Sequence, residues 1–238
     1  MLYLVSGLSI LIPLIPNLYQ NKTLLVDIFK FTNYILIIAY YVINVVTETF
    51  LYPATARLRR MGFIDNALAS KFLGKPTENY YTNDAIQPGT YKIAVNCFEN
   101  CYFTYNISKG MHKSVITKNV LFAFIFLSTA YMGLKDNAVG LPILQVFLSS
   151  LFITELIHHL NFVSKLQVLL EKFKLFFMDV TENRLDINNL YRPILLLLDY
   201  ETTLAYNKAP LSDRVYRKLN KKLSVEWEEL KQYYEIVK

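Results

Sequence analysis

The sequence predicts an all-α integral membrane protein with four transmembrane helices, amphipathic cytoplasmic helices and a helical C-terminal cytoplasmic region. Three observations carry this. The chain is 53% hydrophobic and only 18% charged, where an ordinary soluble protein carries about 25% charged residues. Its apolar residues gather into four long runs. Its lysines and arginines fall between those runs in alternating abundance, as the positive-inside rule requires.

A bilayer core about 30 Å thick takes about 20 residues of helix. The first run, residues 2–19, is short and contains Pro13 and Pro16, residues that membrane helices tolerate better than soluble ones. It has no basic start and no small-residue cleavage site, so it reads as retained rather than as a signal peptide. The second run, residues 31–52, is long enough to span. The third, residues 120–134, reaches spanning length with Ile116 and its neighbours. The fourth, residues 141–160, fits a span directly.

Charge sets the orientation. The first connection holds Lys22 and Lys30, and the third holds only Lys135. The middle segment holds nine cationic residues: Arg57, Arg59, Arg60, Lys71, Lys75, Lys92, Lys109, Lys113 and Lys118. The tail from Asn161 holds thirteen. The division that follows is a first transmembrane hairpin (1–52), a cytoplasmic amphipathic insert (53–119), a second transmembrane hairpin (120–160) and a cytoplasmic helical tail (161–238). Both termini lie inside a bacterial inner membrane in this multi-pass arrangement. The net charge of +6 then fits an anionic lipid surface rather than nucleic acid.

In the insert, Leu58, Met61, Ile64, Leu68 and Phe72 recur every three or four residues, one face of a helix over 54–74. Gly74 and Pro76 supply its stop. With Arg57, Arg59 and Arg60 at the headgroups, this segment reads as an interfacial elbow, either a topological anchor fixed by the positive-inside rule or a lever that couples the cytoplasmic layer to the spans. Asp65 stands beside the apolar face, placed to pair with cations of the tail. Residues 90–111 read as a second helix, with Ala94, Phe98, Cys101 and Tyr105 on one side. In the tail, Phe162, Leu166, Leu169, Phe173 and Phe176 continue the last span. A helix over about 188–206 follows, with 194–198 as a buried turn. Ser212 caps a third helix, in which Tyr216, Leu219, Leu223, Trp227, Leu230 and Tyr234 form a seam. That seam suits either internal packing or oligomerisation.

Chemistry-bearing residues are sparse. Glu155 and His158 at i, i+3 make half of a carboxylate metal motif, and no second copy exists. Cys97 and Cys101 lack the further ligands zinc needs and read as reduced packing cysteines. No metal site, cofactor or enzymatic activity is expected. The spans carry more information. Asn33, Tyr40, Asn44, Thr47 and Glu48 fall along one stripe of the second run. Ser128 with Thr129, and Gln145, Ser149 and Glu155, mark the third and fourth. Intramembrane polar groups face protein or water, so the stripes serve interhelical hydrogen bonds or line a water-filled path built from several copies of the chain.

Two patches, 56–74 (ARLRRMGFIDNALASKFLG) and 198–234 (LDYETTLAYNKAPLSDRVYRKLNKKLSVEWEELKQYY), set in this layout, resemble the four-helix membrane effectors of bacterial nucleotide-signalling (CBASS-type) antiphage systems. The resemblance implies an inner-membrane protein that oligomerises and permeabilises the membrane when a nucleotide signal triggers it. The partners it implies are the lipid bilayer, further copies of the chain, and a cyclic-nucleotide ligand or a nucleotide-sensing protein. It carries no ligand-binding residue onto this sequence. A non-enzymatic membrane scaffold or accessory subunit and a small solute channel are the alternatives.

Overall fold

The computed structural model describes residues 23–75, 81, 83–134, 140–182, 191–207 and 211–236. The protein is all-α, with no strand among the described residues. Among the described residues the helices are α1 (Thr23–Val46), α2 (Tyr52–Leu68), α3 (Thr90–Leu134), α4 (Gly140–Thr181), α5 (Tyr191–Asn207) and α6 (Asp213–Tyr233), with a π-helical turn at Thr47–Leu51 between α1 and α2. The chain divides into two compact units. One holds Met1–Arg60 and Ile125–Asp136, the other Met61–Phe124 and Asn137–Lys238.

In the first unit, the α1 helix does not stop where the expected span ends. It widens at Thr47–Leu51, where the Tyr52 N–H donates to the Thr47 carbonyl, and continues as α2. Pro53 explains the widening. A proline inside an α-helix lacks its N–H and clashes with the carbonyl four residues back, and a π turn relieves that clash without ending the helix. Span and elbow are therefore one helical run, not two helices joined by a bend in the chain. Within it, Tyr34–Leu68 is long and apolar enough to cross a membrane, the one such stretch among the described residues, and its qualifying window has no buried residue. The expected first span lies outside the described residues.

The second unit is a helical bundle. The apolar face of α3 carries Ile93, Ala94, Cys97, Phe98 and Cys101, all buried. It meets Phe162, Leu166, Leu169, Phe173 and Phe177 of α4 in one core with Leu196 and Tyr200 of α5 and Leu223 and Trp227 of α6. Phe98 is the hub. Its ring stacks on Phe173 at 5.6 Å and on Phe177 at 5.2 Å. Trp227 meets it edge-on at 5.2 Å, and Tyr234 at 6.1 Å. Such pairs add about 0.5–1.5 kcal/mol each beyond area burial. Polar ties hold the helices in register. Tyr102 donates to Glu226 at 2.7 Å, and the hydroxyls of Thr104 and Tyr200 meet at 3.0 Å. Lys172 pairs with Asp199 at 2.8 Å. At Gly110, α6 comes so close that a Cβ would lie 3.0 Å from Leu219 Cδ1 and Val215 Cγ1.

The expected helices of the insert and tail are present, with four changes. The helix over 90–111 and the third apolar run are a single 45-residue helix, α3. The elbow helix ends at Leu68, where Ala69 takes φ 54°, a left-handed stop that needs no glycine here. Its buried side carries Phe63, Asn66 and Ala67, while Leu58, Leu68 and Phe72 of the expected face are exposed. The packing surface is thus rotated from the one hydrophobicity alone picks out, because asparagine and aspartate find partners inside. In α5, Ile194, Leu195 and Leu198 are exposed and only Leu196 of the expected buried turn is fully covered. Of the α6 seam, Leu223 and Trp227 are buried in the core and Leu219, Leu230 and Tyr234 pack against it, while Tyr216 is exposed. Ser212 caps α6, accepting from the Val215 N–H at 3.4 Å.

Candidate functional site

The two units offer different surfaces. On α1 the side chains of Phe31, Ile38, Tyr41, Val42 and Ile43 are exposed, as is Phe50 in the π turn. Tyr40 and Glu48 of the expected polar stripe are half-buried, and Asn44 and Thr47 are exposed. The side chains of Asn33, Gln145 and Ser149 lie outside the described residues, and Ser128 is exposed on α3. Glu155 is exposed on α4. Its carboxylate pairs with Lys118 at 2.7 Å and ties α4 to α3, since a carboxylate beside an ammonium is held by charge as well as by hydrogen bonding. No group of three or more potential metal ligands occurs among the described residues. His158 lies by the Tyr206 ring and His159 by His112, with ring centres 6.3 and 5.6 Å apart.

Of the expected coupling residues, Arg57 and Arg60 are exposed and Arg59 is half-buried. Arg60 Nε donates to the Ala56 carbonyl of its own helix at 3.2 Å. Asp65 does not pair with the tail. Its Oδ1 accepts from Ser70 Oγ at 2.6 Å and from the Phe72 N–H at 2.8 Å, and its Oδ2 from the Leu73 N–H at 2.6 Å. Burial pushes this carboxyl up, but the donors from Ser70, Leu73 and Phe72 outweigh it and hold the group below the usual carboxylate range. The carboxylate thus folds 69–73 back over the end of α2, accepting from two loop N–H groups that have no helical acceptor.

That fold-back shapes a cavity of about 520 Å³ in the second unit, between the end of α2, the 69–75 loop, Pro88 and the first turn of α3. Its size is typical of a small-molecule site. Lys71, Lys75 and Lys92 line it with Asp65, Asn66 and Asp84. Lys92 is only 5% exposed.

Behind the cavity runs a chain of buried amides. Asn96 donates to Asn66 at 2.8 Å, and Asn83 donates to Asn96 at 3.0 Å and to Glu99 Oε2 at 2.6 Å. Asn100 donates to the Tyr81 hydroxyl at 2.8 Å. Glu99 faces Lys231 and Glu228 of α6, which pair with each other at 2.7 Å. Burial pushes Glu99 up to about 7, against the opposing pull of the Asn83 hydrogen bond and the Lys231 charge.

Sequence reasoning assigned the three lysines to topology alone and passed over the amide chain. The available signal was in 90–105, where Asn96, Glu99 and Asn100 interrupt an otherwise apolar helix face. Both cysteines of that helix are buried thiols, not joined in a disulfide. Burial pushes the Cys101 thiol well up, so it is a packing group rather than a nucleophile. The chain matches no protein-family model, no curated protein and no solved structure.

Proposed function

We propose that the chain is a multi-pass protein of the bacterial inner membrane, an effector that oligomerises and permeabilises that membrane when its cytoplasmic bundle is triggered. In keeping with the resemblance of 56–74 and 198–234, the trigger is a nucleotide signal of antiphage defence. The observation that carries the reading is the α1 surface. Five large apolar side chains of α1 stand exposed, with Phe50 of the π turn beside them, on a helical run that continues as α2. Apolar surface of that extent marks a membrane or protein contact, and the Arg57–Arg60 cluster follows it where headgroups would lie. The π turn at Thr47–Leu51 is the natural point for a change in the bundle to reach the span. π bulges recur at functional positions because they are the weak places of a helix.

Induced expression with a membrane-impermeant dye tests this. Dye entry after induction, abolished when Ile38 and Tyr41 are both replaced by Lys, is the expected result. Cells that exclude the dye with candidate nucleotide signals supplied would end the effector reading. A second reading, a non-enzymatic membrane scaffold, is favoured by the exposed Ile194, Leu195 and Leu198 of α5. It predicts a stable co-purifying protein lost on Leu195→Asp, and no leakage.

A further inference from the structure

We propose that the cavity at the end of α2 is a binding site for a phosphate-bearing anion, gripped by Lys92 from within and by Lys71 and Lys75 from its mouth. The argument starts with Lys92. The residue is 5% exposed, and it lines the cavity. No hydrogen bond or ion pair joins its ammonium to another described residue. An ammonium carried on a buried side chain is stabilised by an anion brought against it, and the cavity is where such an anion can reach it.

The rest of the lining fits the same ligand. Lys71 and Lys75 are exposed, so they add charge at the mouth without a folding penalty. Asp65 brings a carboxylate to the wall, but its oxygens are engaged by Ser70 and two loop N–H groups. Lys92 lies in the first turn of α3, a 45-residue helix, whose N-terminal partial charge also favours an anion. Lys71, Lys75 and Lys92 in the lining suit phosphate oxygens. Asp84 opposes the anion and marks the exposed rim.

As an account of the trigger, this rests on the effector reading; the binding itself does not. The experiment is a calorimetric titration of the full chain in a neutral maltoside detergent with inorganic pyrophosphate. Saturable binding is expected. It should weaken about tenfold or more in Lys92→Gln and in the double variant Lys71→Gln/Lys75→Gln, because charge-assisted contacts dominate such sites. Asp84→Asn should tighten it, and Lys221→Gln, far along α6, should leave it unchanged. Lys71 and Lys75 are exposed, so their double variant answers the question even if Lys92→Gln fails to fold. Repeating the titration in phosphatidylcholine and phosphatidylglycerol nanodiscs identifies the source. Binding lost only in phosphatidylglycerol means a lipid headgroup holds the cavity, and equal binding in both means a free anion does. No saturable binding in detergent, or binding equally strong in both lysine variants, would overturn the proposal.

Discussion

Glu99→Gln isolates one buried carboxyl. In the unfolded chain Glu99 ionises near 4.5, while in the bundle burial holds its proton to about 7. Between those values the native state binds the extra proton, so stability falls as pH rises. The contribution is fully present below 4.5 and is lost as pH climbs through 7. At 1.36 kcal/mol per unit of pKa, the gap amounts to about 3 kcal/mol. Glutamine keeps an oxygen to accept from Asn83 Nδ2, now 2.6 Å from Glu99 Oε2, and removes the titration. Urea unfolding of both proteins from pH 4 to pH 8, followed by Trp227 fluorescence, reads the difference. Trp227 is the single tryptophan and packs 5.2 Å from the Phe98 ring. The wild type should lose about 3 kcal/mol relative to the variant across that range. Parallel pH profiles would refute the reasoning and show Glu99 ionising as freely in the bundle as in the unfolded chain.

Three further outcomes are expected. Phe98→Ala should destabilise the bundle by about 3–5 kcal/mol in the same unfolding assay, because it empties the centre of the aromatic cluster. Gly110→Val should cost about 1–3 kcal/mol through overpacking against Leu219 and Val215. Adding Leu219→Ala should recover part of that loss, a coupling a double-mutant cycle measures. Asp65→Asn should free the 69–73 turn, read as faster exchange of the Phe72 and Leu73 amide protons. The native Asp65 protein should show the same change only as pH falls through its lowered pKa.

The helical architecture was legible because its signal is periodic. Phe162, Leu166, Leu169, Phe173 and Phe176 repeat on one face, and all are buried. Ser212 announced the start of α6 by residue type alone. What escaped reading depends on contacts distant in sequence or on backbone conformation. The rotated face of α2 follows from Asn66 finding Asn96 thirty residues on. Asp65 looked like a partner for distant cations, yet three nearer donors claimed it. The α6 seam has the same period whether it meets the core or a second chain, and only the fold decides between them. Lys92 is one of twenty-five cationic residues in the sequence. Its burial beside Lys71 and Lys75 arises from the loop that Asp65 folds back.

The central claim is that α1 lies in lipid while the part of the bundle beyond residue 160 does not. Spin labels placed at Ile38, Ile43 and Val168, one at a time, test it in nanodiscs. All three positions are more than half exposed, and the native Cys97 and Cys101 are fully buried, so labelling goes to the introduced cysteine. The account predicts that Ile38 and Ile43 collide with dissolved oxygen and are shielded from a water-soluble nickel chelate, with Val168 showing the reverse. Labels at Ile38 and Ile43 as open to the nickel chelate as the label at Val168 would contradict it.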